Sequence, residues 1–370
     1  MPVNWFRDLF GFVEGPSYSS NRARFRMEGD ALICESAPEV AARRQHVGAW
    51  STPSVAELRA RCAAADASCS DLGGGLTFEH VATPVGVVPL ITDPQNAGAV
   101  FQAASQFNAL EMTGPGVSPR QGIAIYATDP TQGPKCALAC PAGTVFRNYL
   151  VNGGKGQGET QVDCLADVGA VVGNEGGKIW KMQNGYALPS SVSTMGALGE
   201  RLRGDAALTA AAEAALRVGV MWDTQVRPPA THRVCQVYAS ALPVSYAKAT
   251  KSQDWETFAR LVLRGAYEAT LRVAACQALE QRRRVRVFLT ALGGGAFGNR
   301  HAWIVDAMSS ALDTLKEAPL DVVLVHYGSR VQSDWAMVKA PLANPRKRLS
   351  EDADALDDDR AGPARKQEAA

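Results

Sequence analysis

The sequence predicts an α/β fold with parallel strands. Residues from about 254 to 328 run helix, strand, glycine loop, helix, strand, the order that a parallel crossover requires. Hydrophobic residues make up 46% of the 370 positions and charged residues 20%, so most of the chain can bury a core. At roughly 150 residues per domain, this length means two domains or one large domain with appendages.

The segment 1–75 opens on an aromatic cluster, Trp5, Phe6, Leu9, Phe10 and Phe12, which needs burial and is expected to pack on the body of the protein. RARFRM and ALICES flank Glu28-Gly29-Asp30, a hairpin signal. Ser54-Val-Ala-Glu57 reads as a capping box that opens a helix. DASCSDLGGG reads as a linker. The body, about 76–330, begins with short apolar runs broken by Gly, Pro and Asn. Its irregular stretches TGPGVSPRQG, TDPTQGPK and NGGKGQGETQ are long enough to serve either function or plain surface loops.

The last third is the most regular. Asp254 is placed to cap a helix with Phe258, Leu261, Tyr267, Leu271, Ala275 and Leu279 at helical spacing. Strand 285–292, loop 293–299, a second helix through Ile304, Met308, Leu312 and Leu315, and strand 321–327 complete it. From about 331 to 370 the chain is charged, Pro-containing and short of aromatics, and disorder is expected. Its PRKR reads either as a solvated end or as a nuclear import signal.

Several function classes fall away. The chain has 38 Lys and Arg against 37 Asp and Glu, a net charge of +1, so no global field favours nucleic acid or an anionic membrane. No run approaches the ~20 apolar residues that span a bilayer. Arg7, Asp8 and Glu14 interrupt the apolar start, which therefore reads as no signal peptide. A cytoplasmic or nuclear protein is expected. The eight cysteines give no metal spacing: Cys136 and Cys140 lack a second ligand pair. No metal and no cofactor are expected, and the cysteines read as small buried apolar residues.

The chemistry centres on GGGAFGN, residues 293–299. Gly293, Gly294 and Gly295 let the backbone approach a ligand closely. Amides of such a loop and of the next helical turn carry partial positive charge and cradle phosphate. The loop lacks the Lys-Ser/Thr ending of a P-loop and lies too late in the chain for a dinucleotide fingerprint. Phe297 reads either as a ring over a sugar or as core. Upstream, SQFNALEM sets Gln106, Asn108 and Glu111 among Phe107, Leu110 and Met112. Glu111 in partly apolar surroundings suits a general acid or base with a raised pKa. Val100, Phe101, Ala104, Phe107 and Leu110 also fit a helical period, so strand-plus-loop and amphipathic helix both remain open. Tyr149 and Tyr186 read as base-stacking or core residues, and Asn184-Gly185 as a hairpin turn.

RVFLTALGGGAFGNRHAWIVDAMSSALDTLKEAPLDVVLVHYG resembles the C-terminal part of a macrodomain, closest to the poly(ADP-ribose) glycohydrolase-like branch. The preceding helix and the stretch VFQAAS…TGPGVSPRQG are similar to that family's feeding helix, Ala-Asn strand and covering loop. The resemblance implies a three-layer α/β/α domain elaborated by the N-terminal segment. It implies ADP-ribose, or an ADP-ribosylated protein, as ligand, with hydrolysis of the ADP-ribosyl linkage as the chemistry. It implies ligand contacts at Gln102, Ser105, Gly114, Gly116, Gly293, Gly294, Gly295, Ala296, Phe297, Gly298 and Asn299. Glu111, Asn108 and Asp129 stand as the catalytic candidates. The family's Gln-Glu-Glu is missing, and TQGP at 131–134 lies near its place. A non-catalytic reader, or a scaffold whose loops bind proteins, are the alternatives.

Overall fold

The computed structural model describes residues 4–66, 72, 75–331 and 333–339. The strands are β1 (Arg26–Glu28), β2 (Ala31–Ile33), β3 (Arg44–His46), β4 (Ala49–Ser51), β5 (Thr77–Thr83), β6 (Val100–Ala104), β7 (Trp180–Gln183), β8 (Tyr186–Pro189), β9 (Gly219–Gln225), β10 (Arg233–Ala239), β11 (Val285–Leu289) and β12 (Leu320–Tyr327).

Seven of them form one sheet in the order β4-β9-β10-β6-β11-β12-β5. From β10 to β5 all neighbours are parallel; β9 and β4 extend the sheet antiparallel beyond β10. Alternating side chains feed two cores, because successive residues of a strand point to opposite faces. Val287, Leu289, Val322 and Leu324 face the helices Ser252–Gln281 and His301–Thr314. Phe101, Tyr238, Phe288 and Val323 face the shorter helices and the N-terminal segment. The Phe101 and Phe288 rings stack 4.5 Å apart across β6 and β11. The result is an α/β/α sandwich.

Local signals account for most boundaries. Ser54 Oγ accepts the Glu57 N–H while Glu57 Oε2 accepts the Ser54 N–H, so the capping box closes and opens the helix Val55–Asp66. The β1–β2 hairpin turns at Gly29, with φ +60°. The β7–β8 hairpin turns on Asn184 and Gly185, both with positive φ. The long helix starts at Ser252, two residues before the expected cap, and Asp254 accepts the Lys251 N–H from within its first turn. VFQAA is strand β6 and not an amphipathic helix, since its residues are buried on both faces.

Two further readings change. TDPTQGPK is only partly irregular, for the helix Gln132–Ala139 begins inside it. Pro134 fits there because a helix's first turn does not use its N–H. Order also continues past residue 331: Ser333–Met337 form a 3₁₀ turn, with Trp335 and Val338 buried in the core. Most of the linker DASCSDLGGG, the PRKR motif and the charged tail lie outside the described residues. The N-terminal aromatics Trp5, Phe6, Phe10 and Phe25 join Tyr149 in the second core, and Trp5 Nε1 donates to the Ala124 carbonyl.

Candidate functional site

All five parallel strands deliver their C-terminal ends to one cavity of about 730 Å³. Pro84–Val87 follow β5, Ala104–Gln106 follow β6, Ala241 follows β10, Thr290–Phe297 follow β11, and Val325 and Tyr327 belong to β12. Crevices outside the carboxyl ends of parallel strands are where open α/β sheets bind ligands.

The glycine loop forms one wall. Gly293, Gly295, Ala296 and Phe297 line the cavity, and their backbone N–H groups donate to no protein acceptor among the described residues. The neighbouring amides are satisfied inside the loop: Gly294 donates to Ala291, Gly298 to Gly295 and Asn299 to Gly293. Gly293 holds φ +73°, and a Cβ there would overlap the Ala241 methyl. Gly294 points the other way, its Cβ position 3.0 Å from Ile304 Cδ1. Gly298 faces Ser245 in the same manner. Asn299 is a clamp: its Nδ2 donates to the Leu242 carbonyl at 2.8 Å and to the Gly293 carbonyl at 3.3 Å. Phe297, Tyr186 and Tyr246 form an aromatic group with centroids 5.1 to 5.7 Å apart. Tyr186 is buried, donates to the Met112 carbonyl and lines the cavity with Phe297, so its ring serves core and site at once.

Opposite lies the loop after β6. Ser105, Gln106, Glu111 and Met112 line the cavity. Glu111 is fully buried against Arg147, whose Nη1 donates to both carboxylate oxygens at 3.0 and 3.1 Å. Ser105 Oγ is 3.2 Å from Glu111 Oε1, and Tyr126 Oη accepts the Glu111 N–H. Burial pushes the Glu111 carboxyl above its ordinary value, and Arg147 pulls in the opposite direction. Arg147 itself stays charged: it sits 3.7 Å over the Tyr238 ring and donates to the Ala109 carbonyl, and although burial pulls its pKa down, the Glu111 carboxylate lifts it above the usual arginine range. Asp129 also lines the cavity, but its Oδ1 accepts from the Thr131 N–H and hydroxyl.

The remaining sequence candidates fall outside the lining. Gln102 spans the core instead, donating to Thr270 Oγ1 and accepting the Thr290 N–H that starts the glycine loop. Asn108 is buried, accepts the Leu110 N–H and donates to Gln161, which fixes the 105–112 loop. Gly114 and Gly116 are not part of the lining, and nothing stands within 4 Å of a Cβ built on either. Sequence reading missed Gln132, Lys135, Tyr246 and Tyr327 in the lining. Gln132 pairs with the end of β6, accepting the Ala104 N–H and donating to the Gln102 carbonyl. Gly133 has no space for a side chain, because a Cβ would overlap the Ala104 carbonyl oxygen. TQGP thus brings Thr131, Gln132 and Pro134 to the cavity and no carboxylate.

No protein-family model matches the chain, and no curated protein matches it. Among solved structures it is similar to poly(ADP-ribose) glycohydrolase from Deinococcus radiodurans in complex with ADP-ribose, with TM-score 0.43 and 12% identity over 82% of this chain and 94% of that one. It is also similar to poly(ADP-ribose) glycohydrolase from Thermomonospora curvata, with TM-score 0.41 and 13% identity over 87% of this chain and 96% of that one. The likeness is one of fold alone. Among the described residues, no group of His, Cys, Asp and Glu could hold a metal ion, and no helix is long and apolar enough to cross a membrane.

Proposed function

We propose that the chain binds ADP-ribose, free or attached to a protein, in the cavity at the strand ends. The observation that carries this reading is the wall of four cavity-lining residues, Gly293, Gly295, Ala296 and Phe297, whose amides have no acceptor among the described residues. Backbone N–H groups gathered in this way suit a diphosphate. The Phe297, Tyr186 and Tyr246 rings supply faces for a sugar or a base, and the volume lies within the roughly 300–1,000 Å³ of ordinary small-molecule sites. The resemblance of the 286–328 segment to a macrodomain points to ADP-ribose among diphosphates.

Hydrolysis of the ADP-ribosyl linkage is the second reading, and Glu111 favours it. A carboxyl whose pKa is raised by burial and which lines a cavity suits proton transfer. Binding without turnover has the stronger support. Both Glu111 oxygens are held by Arg147, Asp129 is engaged by Thr131, and Gly133-Pro134 offers no further carboxylate. Calorimetric titration of the whole chain with ADP-ribose tests the reading: saturable heat with one site is expected. No heat and no thermal stabilisation would sink it. Release of ADP-ribose from a modified protein, absent in the first reading, would establish the second.

A further inference from the structure

Three histidines and a tryptophan meet on the helical face of β12. His326 on β12 lies 2.9 Å from His80 on β5, Nε2 to Nδ1, and the rings stack at 26°. His80 Nε2 lies 3.0 Å from the Val338 carbonyl oxygen. One arrangement of hydrogens satisfies this chain: His80 Nε2–H donates to Val338, and His326 Nε2–H donates to His80 Nδ1. Trp335 packs edge-on against both His326 and His301, the first residue of the helix His301–Thr314. The segment 333–339 is therefore strapped across β5, β12 and the start of that helix.

Each of these three elements adjoins the cavity. Pro84–Val87 follow β5, Val325 and Tyr327 flank His326, and the glycine loop runs directly into His301. The strap therefore braces three parts of the cavity wall from behind.

We propose that residues 333–339 form a pH-sensitive brace of the cavity wall, held while His80 and His326 are neutral and released when both take a proton. The pair takes one proton without losing its hydrogen bond, since His80 Nδ1–H then donates to a His326 Nε2 whose hydrogen has moved to Nδ1. A second proton on the pair would set two N–H groups against each other at 2.9 Å and two positive rings in a stack. Among the described residues, His301 and Asp334 also face the cluster. His301 Nε2 is buried without a hydrogen-bond partner, 3.8 Å from the Asp334 carboxylate. Asp334 favours a charged His326 and so opposes release, but it is more than half exposed and screened.

Burial and His80 lower the His326 pKa from its ordinary 6.5. The direction of the pH effect is then fixed. The braced state binds fewer protons than the released state, so the brace is at full strength above about pH 6.5 and weakens as the pH falls below that value. The loss comes from the proton that the braced pair does not take up, and it grows as the pH falls further below that value.

Hydrogen exchange of the full chain, read by mass spectrometry between about pH 7.5 and 5.5 and corrected for the intrinsic exchange rate, tests the proposal. Protection of 333–339 should fall over that range, and protection of 84–87 should fall with it. The double variant His80→Gln, His326→Phe keeps a donor to Val338 and a ring against Trp335 but cannot titrate. It should match the wild type at the upper pH and lose the pH dependence. Constant protection in the wild type overturns the proposal whether or not the variant folds. An unchanged pH profile in a folded variant overturns it too. The test needs no bound ligand, so it succeeds or fails independently of the ADP-ribose reading.

Discussion

Single residues of the glycine loop have separable roles. Gly295 borders open space and lines the cavity, so Gly295→Val should leave the Tm unchanged within about a degree and abolish calorimetric binding of ADP-ribose. Gly294→Val presses on Ile304 and tests packing more than binding. Glu111 and Arg147 behave as one unit. Glu111→Gln leaves a fully buried guanidinium without its counter-charge and should cost about 3–5 kcal/mol in urea unfolding, while Glu111→Leu with Arg147→Met should recover most of it. Glu111 was legible as a polar residue among Phe107, Leu110 and Met112. Arg147 was not, because the fold brings it across 36 positions and nothing local marks it. Asn299 and Gln102 show the converse: amides well placed in sequence for a ligand are used to hold the loop that meets one.

At the scale of elements, the β7–β8 hairpin positions the cavity loop. The Phe107 N–H donates to the Gly185 carbonyl, and Asn184 donates to the Pro115 carbonyl while accepting from Gln161. A Cβ on Gly185 would come within 2.5 Å of Asn108 Oδ1 and 2.7 Å of Gln106 Cβ, at φ +82°. Gly185→Ala should therefore weaken ADP-ribose affinity at least about tenfold through displacement of residues 105–112, with a loss of about 1–2 kcal/mol in stability from the strained turn. The turn itself was readable, because Asn-Gly suits two successive positive φ values. The same is true of the capping box and of the 252–327 elements, whose apolar spacing is long and regular. β9 and β10 were not read, since short apolar runs among Gly and Pro carry no length signal. The helix Gln132–Ala139 was hidden by the Gly133-Pro134 pair, which punctuates a sequence even where a first turn tolerates it.

At the scale of the whole molecule, segments near both ends of the described chain are part of the core. Glu14 accepts the Ala124 N–H and the Tyr149 hydroxyl, so the N-terminal segment fastens the loop beside the cavity. Residues 333–339 close the other face. A chain ending at residue 331 forfeits the burial of Trp335 and Val338, worth about 3 kcal/mol or more, and should melt several degrees lower. A chain ending at residue 339 keeps every contact described for this segment. Composition alone placed the end of order too early, because one buried Trp and one Val among charged and small residues do not raise the local hydrophobicity.

The place of β12 inside the sheet also governs how the molecule is made. Among the described residues β5 has no strand neighbour but β12, and Thr77 meets Asp321 across 244 positions. At roughly 5–20 residues per second, a ribosome takes on the order of 10–50 seconds to supply that partner. Throughout this interval the nascent chain carries an open strand edge at Thr77–Thr83, a template for intermolecular pairing. Translation stalled before residue 320 should therefore give a chain that proteases cut near β5, and completion of the last strand should abolish the cleavage.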